Sequence, residues 1–103
     1  MKINDVEFDF NATKLSGMEA LDKAMPPCAK AVLDGVKLAE KGHYYDGAKM
    51  QIDAFRQFFL DLVGVDVVKD CDDVALATAM FEDFNKQIEE QKKRVKEEYF
   101  KRK

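Results

Sequence analysis

The sequence predicts an all-α, mainly helical fold of three to four helices with a short N-terminal β-hairpin, in a single domain over residues 1–103. Three observations predict this class. Apolar residues recur at steps of three and four along most of the chain, which is the spacing of one helix face. Only two prolines and five glycines interrupt the 103 residues, whereas residues that favour helices are abundant. Strict alternation of apolar and acidic residues is confined to the first ten positions.

The composition excludes several classes of protein. With 47% hydrophobic and 36% charged residues, the chain supports one modest core and differs from disordered sequences. Its net charge of -3 predicts no general attraction to nucleic acid or to anionic lipid. No apolar run approaches the roughly 20 residues that cross a bilayer, so we expect no membrane insertion. The start of the chain leads into polar Asn4 and Asp5, so we also expect no signal peptide.

The start of the chain predicts a β-hairpin over residues 1–10. Val6, Phe8 and Phe10 alternate with acidic residues, which is typical of a half-buried strand. The Asn-Asp pair before Val6 tolerates the positive φ of a tight turn, so the first three residues would pair with the segment from Val6 to Phe8. Because a two-stranded hairpin is marginally stable alone, its apolar face must lie on the helices.

A pair of prolines divides the next helical stretch. Because the residue before a proline is pushed out of the α region, we expect one helix to end at Met25 and another to run from about Pro26 to Lys41. Small apolar residues on this second helix, Gly35 among them, would let another helix approach closely. Gly42 suits its C-terminal cap.

The central helix, from about Tyr44 to Gly64, carries the most apolar surface. Its stripe recurs at steps of 4, 3, 4 and 3 and consists of Ala48, Ile52, Phe55, Phe59 and Leu62. Phe58 lies beside this stripe and makes it wider than a two-helix contact requires. The helix must therefore be covered by other elements or by a partner.

The last helix follows a β-branched connector from Val65 to Cys71, which we expect to be extended. Asp72 or Asp73 would cap this helix. Its inner face consists of Val74, Ala77, Phe81, Phe84, Ile88 and Val95, with Gln91 filling the position between the last two. The apolar face is strong up to Ile88 and then becomes sparse.

The charges are distributed unevenly along the chain. Residues 85–103 contain eight Lys or Arg against four Glu, a net of +4, whereas residues 1–84 contain nine against sixteen acidic residues, a net of -7. In the basic segment Glu and Lys alternate at spacings that suit pairing within a helix, as for Glu89 and Lys93. We therefore expect a charged helical tail that projects into solvent or frays, with a protein-docking tail as the alternative, and no nucleic-acid binding.

The sequence offers little for catalysis or metal binding. His43 is the single histidine, and Cys28 and Cys71 are far apart without a C-x-x-C pair. No glycine-rich phosphate-binding motif occurs. We expect a non-enzymatic protein without metal or cofactor, and two free thiols, which are typical of a reducing cytoplasm. The competing class, a small enzyme or thiol-redox protein, would need a function for one of these three residues.

The aromatic residues of the central and last helices have two interpretations. Eight Phe and five Met are many for this length, and both side chains adapt to irregular apolar partners. They form either the core alone or the core together with a groove for another protein's helix. The candidate partner-binding residues are Phe55, Phe58, Phe59, Leu62, Phe81 and Phe84.

Three segments together resemble small proteins encoded in the tail modules of long-tailed phages and prophages of Gram-positive bacteria. Residues 1–8 match the opening M-K-I-N-x-[IV]-E-F of that family. Residues 58–64 match its F-F-x-D-[VL]-[FV]-G segment, and residues 77–84 match A-x-x-x-F-E-x-F. The order and approximate gaps agree, so the resemblance spans most of residues 1–84. The chain departs from the family pattern after Gly64, where the family's second glycine is missing.

The resemblance implies a tail assembly chaperone. Such chaperones are helical, non-enzymatic proteins that bind the tape measure protein in the cytoplasm of the bacterial host, keep it soluble and help to recruit tail-tube subunits. It therefore implies the tape measure protein as partner, with the tail-tube protein as a second. The alternative is a structural tail or head-tail joining protein that self-associates as a homo-oligomer and is retained in the virion.

Overall fold

A computed structural model describes residues 1–102 and shows three helices behind a short antiparallel hairpin. The elements are β1 (Lys2–Ile3), β2 (Val6–Glu7), α1 (Leu15–Glu40), α2 (Tyr44–Val63) and α3 (Val74–Lys101). The predicted mainly helical class with an N-terminal hairpin is confirmed. Lys103, the end of the predicted tail, lies outside the described residues.

The hairpin forms where the alternating pattern predicts it. Asn4 and Asp5 adopt φ values of 53° and 59°, the left-handed turn conformation that these residue types tolerate. The Asn4 side-chain amide also donates a 2.9 Å hydrogen bond to the carbonyl of Val67. Ile3 and Phe8 are buried, so the hairpin contributes its apolar face to the core.

Helix α1 continues through Pro26 and Pro27, so the predicted break at Met25 is wrong. A proline has no N–H for the i−4 carbonyl and costs about 3 kcal/mol in a helix interior. Both rings are exposed, whereas Ala24 and Cys28 on either side of them are buried. Because these buried residues hold both halves of α1 against the core, packing overrides the local preference of the proline pair.

Helices α1 and α2 pack so closely that their backbones meet at two glycines. A Cβ atom added to Gly47 would lie 2.5 Å from the carbonyl oxygen of Gly35, and one added to Gly35 would lie 2.7 Å from that of Gly47. The turn between the helices places Gly42 at φ 91°, as its predicted capping position requires. The two helices therefore form a closely packed antiparallel pair.

The core lies on one face of this pair, beneath α3 and the hairpin. Phe58, Phe59 and Phe84 are at most 1% exposed. The ring of Phe84 lies 5.4 Å from each of the other two, in edge-to-face geometry, and the ring of Phe8 lies 6.1 Å from that of Phe59. Such aromatic pairs are stabilising beyond their buried area. The central stripe predicted from the sequence is therefore the centre of the fold.

The connector between α2 and α3 is a compact series of turns, so the predicted extended conformation is wrong. Gly64 ends α2 at φ 71°, and Val67 and Val68 are both at most 1% exposed. Because both valines must reach the core within a few residues, the chain turns here. Asp73 then caps α3, where its carboxylate accepts hydrogen bonds from the N–H groups of Ala75 and Leu76.

Gln91 joins the end of the core to the N-terminal segment. Its side-chain amide donates a 2.7 Å hydrogen bond to the carbonyl of Phe10 and accepts a 3.0 Å bond from the N–H of Ala12. After Gln91 every described residue of α3 is exposed. Since α3 spans roughly 42 Å at 1.5 Å per residue and the molecule measures 57 × 24 × 20 Å, its C-terminal part extends beyond the body.

No helix within residues 1–102 combines the length and the hydropathy that crossing a membrane requires.

Candidate functional site

The six partner-binding residues predicted from the sequence lie together in the core. The ring of Phe81 lies 5.0 Å from the rings of both Phe55 and Phe58. Phe81 and Leu62 are half-buried, whereas the remaining four residues are buried. Phe58, Phe59 and Phe84 in particular present almost no surface. Their role as partner contacts stays a prediction, and the exposed apolar surface of the molecule lies elsewhere.

The other face of the α1–α2 pair carries an open groove of about 730 Å³, which we call the α1–α2 groove. Its apolar lining consists of Ala24, Pro27, Cys28, Ala31 and Leu38 from α1 and Met50, Ala54 and Phe58 from α2. At 100° per residue, Met50 and Gln57 lie roughly opposite Phe55 and Phe59 on α2. Since Phe55 and Phe59 face α3, the groove lies on the side of the pair that α3 leaves uncovered.

The floor of the groove is made of small apolar groups. Ala24, Cys28 and Ala54 are buried beneath it, and Ala31 is half-buried. Burial raises the pKa of the Cys28 thiol to about 11, so this side chain is neutral at physiological pH and acts as a small apolar residue. The floor therefore provides a smooth surface that the side chains of another helix can approach.

The edge of the groove formed by α2 is acidic. Asp46, Asp53 and Asp61 line it together with Lys49. The Lys49 ammonium lies 3.0 Å from an Asp53 carboxylate oxygen, and the hydrogen bond to this carboxylate raises the pKa of Lys49. One of the three carboxylates is thus paired, and the edge keeps a net negative charge. It favours a ligand that carries positive charge beside an apolar stripe.

The residues that could carry chemistry lie in three separate places. Cys28 is in the floor of the groove, and the exposed His43 is the N-cap of α2. The thiol of Cys71 donates to the carbonyl of Asp73 at 3.3 Å. Within the described chain, no group of three His, Cys, Asp or Glu side chains is placed to hold a metal ion.

A second exposed feature is the segment of residues 92–102, which comprises the last ten residues of α3 and its C-cap Arg102 and which we call the basic tail. Val95, Tyr99 and Phe100 are each more than half exposed on it. Because positions 95 and 99 are four apart, Val95 and Tyr99 lie on the same side of the helix. Lys92 and Lys96 are also four residues apart, and they lie along one side of this apolar stripe. The tail therefore has an apolar stripe bordered by positive charge.

Sequence reasoning found one residue of the groove, Phe58, and missed the others. The signal was a second stripe on α2, in which Met50, Ala54 and Asp61 recur at helical spacing beside the aromatic one. On α1 the small residues Ala24 and Ala31 form the matching stripe. Because small residues on a helix also predict close packing, this stripe alone does not show which positions a neighbouring helix covers.

Fold and groove together define a class: a small, mainly helical protein whose central helix pair is covered on one face and open on the other. Since a helix pair buries an apolar face by packing against further elements, the open face is the natural position for an additional helix. No family model, curated protein or solved structure matches the chain.

Proposed function

We propose that this chain is a non-enzymatic tail assembly chaperone that binds a helix of a tape measure protein in the α1–α2 groove. The observation that carries the binding role is the apolar floor with its acidic edge on the uncovered face of the helix pair. The phage assignment is supported by the resemblance of residues 1–8, 58–64 and 77–84 to small tail-module proteins. The chaperone would act in the cytoplasm of the bacterial host.

The groove suits a helical partner in size and chemistry. From Ala24 to Leu38 it follows α1 for roughly 21 Å, which is the length of about four helical turns. An amphipathic helix that presents apolar residues to Ala31 and Met50 would bury its stripe there, and basic residues beside the stripe would meet the α2 edge. A tape measure protein, as a long helical chain with exposed apolar stripes, offers such segments.

The modest size of the groove favours reversible binding. A single helix on this surface forms a contact at the small end of protein interfaces, below roughly 1,200 Å² of total buried area, where weak and transient complexes are found. Such a contact suits a chaperone that must release the tape measure protein to the tail-tube protein as the tail assembles. Several copies binding along one tape measure chain would still cover much of its apolar surface.

Co-expression with the tape measure protein tests this function. We expect the soluble fraction of the tape measure protein to rise in the presence of the wild-type chain and to fall back with Met50→Glu, which places a charge in the groove. Leu60→Glu is the matched control, because Leu60 is on the same helix, lies outside the groove and is 37% exposed against 36% for Met50.

Two results would count against the proposal. If the tape measure protein is equally soluble with and without the chain, the chaperone function is refuted. If Leu60→Glu lowers its solubility as much as Met50→Glu, the groove is not the binding surface. Recovery of the chain from purified virions would instead support a structural protein of the tail or of the head-tail joint.

A further inference from the structure

We infer that in the free protein the α1–α2 groove holds the basic tail of a second copy of this chain. The inference rests on the proposed function only in taking the groove as a site for a helix. It identifies the occupant when the tape measure protein is absent and makes self-association a property of the free protein.

The basic tail has the features that the groove requires. It is already helical, since α3 runs to Lys101, so no folding cost is added when it binds. Val95 and Tyr99 form an exposed apolar stripe, with Lys92 and Lys96 beside it. The tail spans roughly 16 Å and is therefore shorter than the groove.

The charges of tail and groove are complementary. Residues 85–103 carry a net charge of +4 and residues 1–84 a net charge of -7, so two copies attract each other when the tail of one approaches the body of the other. At shorter range Asp53 and Asp61 line the α2 edge of the groove. Lys92, whose ammonium lies 3.5 Å from a Glu89 carboxylate oxygen of its own chain, and Lys96 border the apolar stripe and supply the positive charge for this edge.

The occupant comes from a second copy because the geometry prevents a chain from filling its own groove. Helix α3 packs on the face of the α1–α2 pair that lies opposite the groove, and it is continuous from Val74 to Lys101. Its tail therefore points away from the body. When two copies exchange tails, two equivalent contacts form at once, so the total buried area is twice that of a single contact, which brings it closer to the roughly 1,200–2,000 Å² of stable interfaces.

Sedimentation equilibrium of the full chain tests the inference with three double variants. Lys92→Glu with Lys96→Glu reverses the tail charges that face the groove, and Asp53→Lys with Asp61→Lys reverses the groove edge. Arg94→Glu with Lys101→Glu is the matched control, because it makes the same change in net charge on the other side of the tail. All six residues are exposed, so far-UV circular dichroism should show that each variant folds.

We expect the wild type to self-associate and each of the first two variants to raise the dissociation constant about tenfold or more. The control should change it much less. Mixing the tail variant with the groove variant should restore association, since wild-type tails then meet wild-type grooves and reversed tails meet reversed grooves.

A wild type that stays monomeric at about 100 µM would overturn the inference. So would a control variant that dissociates as readily as the tail variant, or a mixture that does not associate. A monomeric wild type that still keeps the tape measure protein soluble overturns the self-association alone. Association that follows the expected pattern in a chain without effect on the tape measure protein supports it and refutes the proposed function.

Discussion

Replacing Gly47 with alanine would place a methyl group at the point where the backbones of α1 and α2 meet. The new Cβ would lie 2.5 Å from the carbonyl oxygen of Gly35 and 2.9 Å from the backbone nitrogen of Ala39. Both atoms belong to the backbone of α1, so no side-chain rotation relieves the contact. The two helices must therefore move apart by roughly 1 Å, because protein interiors are too closely packed to absorb the methyl group otherwise.

Two effects of opposite sign decide the outcome at Gly47. Alanine is favoured over glycine in a helix interior by about 1 kcal/mol. Against this, overpacking typically costs about 1–3 kcal/mol, and a separation of the helices weakens dispersion contacts along the whole crossing. Because the clash is with backbone on two sides, we expect the cost to exceed the gain, with a net loss of about 1–3 kcal/mol in the free energy of unfolding.

Urea unfolding followed by far-UV circular dichroism measures this change. The matched control is Ala29→Gly, at an exposed position of α1, where the loss should be about 1 kcal/mol from helix propensity alone. Both variants should thus be less stable than the wild type, although helix propensity predicts opposite signs for them. A Gly47→Ala variant more stable than the wild type would refute the close backbone contact between the helices.

Three further predictions follow from the packing. Gln91→Leu should lower the free energy of unfolding by about 1–3 kcal/mol, although it adds an apolar side chain. The reason is that the carbonyl of Phe10 and the N–H of Ala12 lose their hydrogen-bond partner. Unchanged stability in urea would contradict this role of the Gln91 amide. Pro26→Ala should raise the melting temperature, with a gain of about 1–2 kcal/mol from the restored helical N–H, and a lower melting temperature would mean that the ring itself stabilises the helix. At about pH 8 a thiol reagent should modify the half-buried Cys71 well before the buried Cys28. Only the thiolate reacts, and the raised pKa of Cys28, about 11, keeps this thiol protonated at pH 8. Equal reaction rates in the two single-cysteine variants would show that Cys28 is accessible.

The parts of the fold that the sequence predicts well depend on local chemistry. The hairpin turn follows from the residue types of Asn4 and Asp5, which accept positive φ. The end of α2 follows from Gly64, and the start of α3 from the capping carboxylate of Asp73. Each of these signals acts within a few residues, so no knowledge of the tertiary structure is needed to interpret it.

The proline pair shows where local signals fail. Pro26 and Pro27 disfavour a continuous helix, but α1 continues through them, with Ala24 and Cys28 buried on either side, so packing along the whole helix outweighs the local cost. That packing depends on α2, a separate helix later in the chain, so the residues around the prolines do not reveal it. The same reason explains why the β-branched connector turns inward at Val67 and does not extend.

The α1–α2 groove was less predictable than the core. Both are formed by helices α1 and α2, but the core lies on the face that α3 covers and the groove on the opposite face. The period of the apolar residues located the aromatic stripe of α2 correctly. Which face α3 would cover and which it would leave open depends on how the helices cross. Met50 lies on the side of α2 opposite this stripe, and only the structure, in which α3 packs on the stripe, shows that Met50 lines an open groove.

The hydrogen bonds between the N-terminal segment and α3 also imply an order in which the parts of the chain fold during synthesis. The side chain of Gln87 donates to the carbonyl of Lys2 at 3.1 Å, and Gln91 holds the segment from Phe10 to Ala12, so contacts join residues some 80 positions apart. Helices α1 and α2 are neighbours along the chain and can pair early, whereas contacts of such long range form slowly. The hairpin is therefore synthesised well before its partners on α3, and its apolar residues stay uncovered until α3 has been made.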